Sequence, residues 1–302
     1  MGYSAADESF THQLPTTFDQ VHDPDPTWSD RCYFFAASPD GTMLFDPFFR
    51  PYCGAEWFHL EDFAHATHIC VTHGHEEHFL DVPVIAKATG AIVIGAPSVC
   101  GFLRWRRGLD PARLVSIDPK RFGTVSLPGF KISAFRWKHR DINLPKALTR
   151  AVFHGNATQL SWAWSSATRA PFYSPYTGFH VELPSGLTVM NYNEGFNSKM
   201  TDTEISELGA RFRTDVLLGG MQLFFIDDVV RGVAALKPKV VVLYPPHDKF
   251  HAMMGAVSAP WTDFQRAVQA RFPDLPVHLA EPGFTLELDA AQLSRSASPV
   301  AA

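Results

Sequence analysis

The chain has 302 residues, 46% of them apolar and seven of them Trp, which is enough for one large α/β domain or two small ones and excludes a disordered chain. A formal charge of -5 and a pI near 6.3 lack the basic excess that a phosphate backbone requires, so nucleic acid is not an expected partner. Cys32, Cys53, Cys70 and Cys100 form no CxxC pair, which excludes a zinc ribbon or a disulfide scaffold, and no apolar stretch reads as a signal core or a transmembrane segment; the expectation is a cytoplasmic protein.

In chain order, residues 1–28 are polar and carry Pro15, Pro24 and Pro26, so they read as an N-terminal arm. Residues 29–292 hold the folded domain, and residues 293–302 form a polar tail. The runs Cys32–Ala37 and Met43–Phe45 flank Pro39-Asp40-Gly41, whose turn chemistry predicts a hairpin. Asp46-Pro47 leaves that hairpin, and Asp46 reads either as a turn carboxylate capping nearby backbone or as support for a metal site.

The apolar run His68-Ile69-Cys70-Val71 is followed directly by Thr72-His73-Gly74-His75-Glu76-Glu77-His78. Three imidazoles and two carboxylates in seven residues, carried at the end of a strand, point to a metal site. Leu80–Thr89 has helical spacing and stops at Gly90, and Ala91–Gly95 reads as a buried strand. The resulting βαβ unit puts the ligands at the carboxyl edge of a sheet, where open α/β folds place their sites.

Short strands are expected over Leu114–Ile117 and Thr124–Leu127, and a longer one over Phe130–Trp137 that ends in Lys138-His139-Arg140-Asp141. Residues 141–177 show no strong period but concentrate Phe153, His154, Trp162, Trp164, Phe172, Tyr173 and Tyr176. Such rings either wall an apolar substrate pocket or pack the segment onto the sheet. Lys138, Arg140, Arg150 and Arg169 in the same region can hold a substrate carboxylate or phosphate.

A second hairpin, Gly178–Leu183 and Leu187–Met190, mirrors the first and exits through Asn191-Tyr192-Asn193-Glu194-Gly195. Helices are expected over Thr201–Phe212, capped by Thr201 or Asp202, over Asp227–Leu236 and over Trp261–Arg271. Between them lie the strand Val216–Gly220 and the run Lys237–His247, with Asp248 and His251 nearby; the strands Val277–Leu279 and Phe284–Leu288 close the second half.

His73, His75 and His78 with Glu77 resemble the HxHxDH signature of the metallo-β-lactamase fold superfamily, with Glu where that family carries Asp. The resemblance covers about residues 30–290 and implies a four-layer αββα sandwich holding two divalent ions, zinc, iron or manganese. It implies further that His73, His75 and a third His bind the first ion, while Glu77, His78 and a late His bind the second. His139 occupies the third position, with His154 and His180 as alternatives. Glu194 stands where the family's bridging Asp stands, with Asn193 before it in place of Gly, and His247 matches the late His. The ascorbate-6-phosphate lactonase and N-acyl-phosphatidylethanolamine phospholipase D branch is the most similar, through Lys237-Pro238-Lys239-Val240 and the His-plus-aromatic segment.

The chemistry this implies is hydrolysis: water activated between the ions attacks an ester, lactone, amide or phosphodiester of a partly apolar small molecule. Glu194 and Asp46 are the catalytic candidates. Trp137, Arg140, His154, Trp162, Trp164, Tyr173 and Tyr176 are the substrate-binding ones. Two Glu ligands favour hard cations, so a diiron or dimanganese oxygenase or oxidase is the alternative. Substrate identity and assembly as a homo-oligomer are left open by the sequence.

Overall fold

The computed structural model describes residues 34–38, 41–48, 59–140, 149, 152–153, 157–244, 251, 257–280, 284, 286 and 288. Two sheets carry the chain. The first has five strands in the order β1 (Phe34–Ser38), β2 (Gly41–Phe45), β3 (His68–Val71), β4 (Ile92–Gly95) and β5 (Leu114–Ser116), antiparallel in the β1–β2 hairpin and parallel thereafter. The second has seven. Its order is β12 (Val277–Leu279), β11 (Val240–Tyr244), β10 (Val216–Gly220), β9 (Thr188–Asn193), β8 (Thr177–Glu182), β7 (Phe130–Arg136) and β6 (Thr124–Leu127). Strands β9 to β12 pair in parallel and β6 to β9 antiparallel.

Period two along the strands divides the apolar side chains into separate cores. Met43, Phe45, Cys70 and Ile94 of the first sheet meet Ile132, Val181, Val216 and Val242 of the second, so the sheets pack face to face. The alternate residues Leu44, Ile69, Val71 and Val93 turn outward onto α2 (Val82–Thr89) and α3 (Pro97–Arg107). On the far side, Met190, Leu217 and Val241 pack against α5 (Asp202–Arg211), α6 (Ile226–Leu236) and α7 (Trp261–Arg271). Three cores between four layers make the αββα sandwich. Each fully buried aliphatic side chain in them contributes on the order of 2 kcal/mol.

Local sequence explains the helix limits. Gly90, in the left-handed region at φ 72°, ends α2 by donating to Ala86 O, and Thr201 caps α5 in a box with Glu204. The expected helix over Leu80–Thr89 is two pieces, a four-residue α1 (Glu76–Phe79) that carries the ligand motif and then α2. Two helices go beyond the sequence expectations: α3, with Pro97 in its first turn and left-handed Gly108 after its last, and α4 (Ala157–Arg169), inside a segment that shows no clear period. Phe284, Leu286 and Leu288 pack on the inter-sheet core but are not in a strand, contrary to expectation. The arm 1–28, the tail 293–302, Cys32 and Cys53 lie outside the described residues. No helix among the described residues is long and apolar enough to cross a membrane.

Candidate metal centre

The site forms where strand exits from both sheets converge. The exit of β3 supplies Thr72, His73 and His75, and α1 adds Glu77 and His78. Asp46 leaves β2, His139 follows β7, and Asn193 and Glu194 leave β9. The two halves are strapped together by backbone, since Thr177 N donates to Thr72 O at 2.8 Å. Gly74 lies against the Pro171 carbonyl, where any Cβ would collide, so the residue between His73 and His75 has to be glycine.

His73, His75, His139, His78 and Glu194 are all buried and fall into two overlapping groups, His73–His75–His139 and His73–His78–Glu194. Within each group the potential ligand atoms lie within 4.8 Å of one another. His73 belongs to both.

The hydrogen bonds behind the rings decide which nitrogens face inward. Thr72 Oγ1 sits 2.6 Å from Asp46 Oδ2; a carboxylate only accepts, so the hydroxyl hydrogen goes there. Thr72 Oγ1 must then accept from His73 Nδ1 at 2.9 Å, which leaves the lone pair of His73 on Nε2. His78 Nδ1 donates to Asp46 Oδ2 at 3.0 Å and His139 Nδ1 donates to Arg140 O at 2.6 Å. When neutral, all three rings therefore present Nε2 as a donor to a metal.

A neutral His139 would face Glu194 Oε2 lone pair to lone pair, since its Nε2 lies 2.6 Å from that oxygen, and such a pair needs a shared proton or a cation between the two atoms. His73 Nε2 lies 2.9 Å from His75 Nδ1, which as a neutral N–H donates to it and leaves the His75 lone pair on Nε2. His75 Nε2 is buried with no hydrogen-bond partner among the described residues. Neutral imidazoles and a carboxylate are the donor set that zinc, iron and manganese take, so these residues fit such an ion.

Electrostatics point the same way. Burial, followed by the neighbouring imidazoles, holds His73 and His75 well below the ordinary imidazole range, so both rings are neutral. Burial alone would raise Glu194, but the His139 ring against it, and then His78 and His73, hold it well below the usual carboxylate range. Burial would also lower His78, yet Asp46 overrides it and brings that ring to about 9. A cation at His78 must displace a proton.

Asp46 is the acceptor on which the first half is hung. Its Oδ1 takes Thr72 N at 2.7 Å, and its Oδ2 takes Thr72 Oγ1, His78 Nδ1 and Asn193 Nδ2, the last at 2.7 Å. It therefore caps backbone and orients imidazoles at once. Asn197 does comparable work on the other sheet, donating through Nδ2 to Lys138 O at 2.8 Å and to Glu194 O at 2.9 Å.

The remaining expectations divide. Glu77 is buried beside the cluster, its Oε1 3.9 Å from His75 Nδ1, and burial pushes its carboxyl up, but it joins neither ligand group. His180 is not at the centre: its Nε2 donates to Arg213 O at 2.8 Å and its ring stacks on Phe212. His154 and His247 lie outside the described residues. Trp137 and Tyr176 are at the site, with Tyr176 stacked on His139 at 4.9 Å between ring centroids and Trp137 edge-on to His73 at 5.6 Å. Trp162 is instead a core residue of α4, packed beneath Phe172, while Trp164 and Tyr173 are 69% and 87% exposed and make no contact with the ligand groups. Phe172, another of the rings in that segment, does reach the cluster, 4.7 Å from the His75 ring.

No protein-family model matches the chain. A UPF0173 metal-dependent hydrolase of Methylocella silvestris is 40% identical over 76 residues, 25% of this chain and 33% of that protein. Proteins of the same description from Cereibacter sphaeroides and Rhizobium leguminosarum are 32% identical over 115 residues and 28% over 138, covering 47% and 56% of their own lengths. The chain thus spans between a third and just over half of the relatives it matches. Among solved structures, Igni18, a metallo hydrolase from Ignicoccus hospitalis, superposes with a TM-score of 0.60 at 17% identity over 87% of this chain and 97% of that one. CmlA, a diiron β-hydroxylase from Streptomyces venezuelae, gives 0.55 at 13% over 93% and 54%. YhfI from Bacillus subtilis, described as a metallo-β-lactamase fold protein, gives 0.54 at 10% over 85% and 91%. With two facing sheets covered by helices on both sides, the chain has the metallo-β-lactamase fold.

Proposed function

We propose that the protein is a metal-dependent hydrolase with a dinuclear centre, acting on an ester, lactone, amide or phosphodiester of a partly apolar small molecule. The observation that carries this reading is the sharing of His73 between two buried ligand groups whose lone pairs converge. His73, His75 and His139 would hold one ion; His78 and Glu194 would hold the other, with Glu77 and His247 joining them as the resemblance implies. Zinc, iron or manganese bound there would polarise the scissile group and lower the pKa of an attacking water.

The protein's own residues set the conditions for that attack. Glu194 stays ionised against His139, so it would offer a carboxylate to the ions and could accept a proton from the water. Asp46 is a positioning residue, acting through Thr72 and His78. Trp137, Phe172 and Tyr176 exclude bulk water and offer an apolar wall to the substrate. Supporting comparisons are the UPF0173 metal-dependent hydrolases and the hydrolase fold neighbour.

The test is elemental analysis of the purified protein beside turnover of nitrophenyl esters and bis(4-nitrophenyl) phosphate, repeated on His75→Ala. The variant is expected to lose the first ion and at least about a thousandfold in rate. Full metal content in the variant would overturn the ligand assignment. A second reading, a diiron or dimanganese oxygenase or oxidase, is favoured by the glutamate in the second group and by hard oxygen donors in general. Two irons with an oxygen-dependent absorbance change, and no ester or phosphodiester cleavage, would decide for it.

A further inference from the structure

Arg140 follows His139 at the exit of β7 and is half-buried. Its Nη2 donates to His251 Nε2 at 3.1 Å, and because a guanidinium only donates, His251 keeps its lone pair on Nε2 and its hydrogen on Nδ1. That hydrogen goes to Ser258 Oγ at 3.0 Å. His251 is 2% exposed, so the arginine is held from behind by a buried, uncharged ring on the segment that follows β11.

A neutral ring orients a cation without compensating it. Other arginines here meet carboxylates: Arg213 pairs with Asp215, Arg231 with Asp202 and Asp228, Arg266 with Asp263. Arg140 has no such partner among the described residues, and its Nε is buried without a hydrogen bond. The guanidinium lies close enough to His75 to help depress that imidazole, so its unpaired charge sits beside the metal ligands. A half-buried cation with an unused donor beside the ligand groups lacks a planar or tetrahedral oxyanion, the partner that a guanidinium fork binds with two parallel hydrogen bonds.

We propose that Arg140, positioned by His251 and Ser258, binds an oxyanion of the substrate, so that the molecule processed carries a carboxylate or phosphate beside the bond that is broken. This rests on reading the centre as one that acts on a small molecule, and the test separates the two claims. The metal-loaded protein is compared with Arg140→Gln and Arg140→Lys, with circular dichroism and metal content as controls and Ser258→Ala as a milder variant acting through His251. Two measurements are made: kcat/KM for mono(4-nitrophenyl) succinate relative to neutral 4-nitrophenyl butyrate, and calorimetric titration with succinate and with inorganic phosphate.

Arg140→Gln is expected to lower the charged-over-neutral selectivity at least tenfold and to weaken binding of one oxyanion by a similar factor, with Arg140→Lys recovering part of the loss and Ser258→Ala losing less. Whichever of succinate and phosphate shows the Arg140-dependent loss identifies the group. Oxyanion binding that depends on Arg140, without cleavage of either ester, supports this proposal and removes the hydrolytic reading. Cleavage with unchanged selectivity overturns this proposal and leaves hydrolysis standing. It is also overturned if neither oxyanion binds, or if both bind equally well to wild type and Arg140→Gln.

Discussion

Asp46 and Asn193 occupy corresponding places in the two halves of the molecule. Each closes a hairpin, β1–β2 or β8–β9, each has φ of 49°, and each side chain reaches the centre. Asp and Asn are the non-glycine residues that tolerate this left-handed backbone best. They differ only in that one is a carboxylate and the other an amide, and Asn193 Nδ2 donates to Asp46 Oδ2 at 2.7 Å. Two carboxylates there would repel, and two amides would leave Thr72 and His78 without an anionic acceptor. The acceptor stays in the first half, and in the second half the carboxylate of the candidate ligand group stands one residue later, at Glu194.

Removing the acceptor is the strongest way to break this complementarity. Asp46→Asn should cost about 3 kcal/mol in urea unfolding, since several buried donors lose a charged partner, and should weaken metal binding ten- to a hundredfold. A loss below about 1 kcal/mol would show that the hub is not needed. Making the halves alike comes next: Asn193→Asp should cost about 2 kcal/mol at pH 7. One of two facing carboxylates has a raised pKa in the fold, so the folded form takes up a proton first, and the deficit should shrink as the pH falls towards 5. A deficit independent of pH would rule out like-charge repulsion.

Glu194→Gln sharpens the contrast from the other side. The amide can still pair with His139 but no longer carries charge, so chelator competition should show cation retention about tenfold weaker while the fold persists. Unchanged retention would remove Glu194 from the ligand set. The smallest effect belongs to His251, which burial, and then Arg140, lowers from 6.5 to about 4. The unfolded ring takes a proton near pH 6.5 and the folded one does not, so stability is full above that value and falls as the pH drops towards 4. Between pH 7 and 5.5 this contributes about 1 kcal/mol, and His251→Gln should flatten that part of the profile.

The parts of this centre that are local in sequence were legible in it. Thr72–His78 points to a metal site because an apolar strand, a glycine and three imidazoles are consecutive, and the turn between Cys32–Ala37 and Met43–Phe45 gives the first hairpin. His139, which the fold brings together with His73 and His75, was singled out by its place after a strand, through the family resemblance. What stayed hidden was long-range or directional. No spacing says that Asn193 reaches Asp46, 147 residues away, or that Glu77, buried beside the cluster, falls outside both ligand groups. The α4 segment was read by its aromatic content; helix geometry then buried Trp162 and exposed Trp164, two positions apart. For α3, Pro97 and Gly108 were the available signals.

Because the candidate ligands come from both sheets, with Thr177 N tied to Thr72 O beneath them, a cation held there would act as a rivet through the sandwich. Any ion that binds only the assembled arrangement raises the energy needed to part the layers, by an amount that grows with the logarithm of its free concentration. The heat tolerance of this protein would then report metal supply, and starvation for the ion would loosen the joint between the sheets before it melted either one.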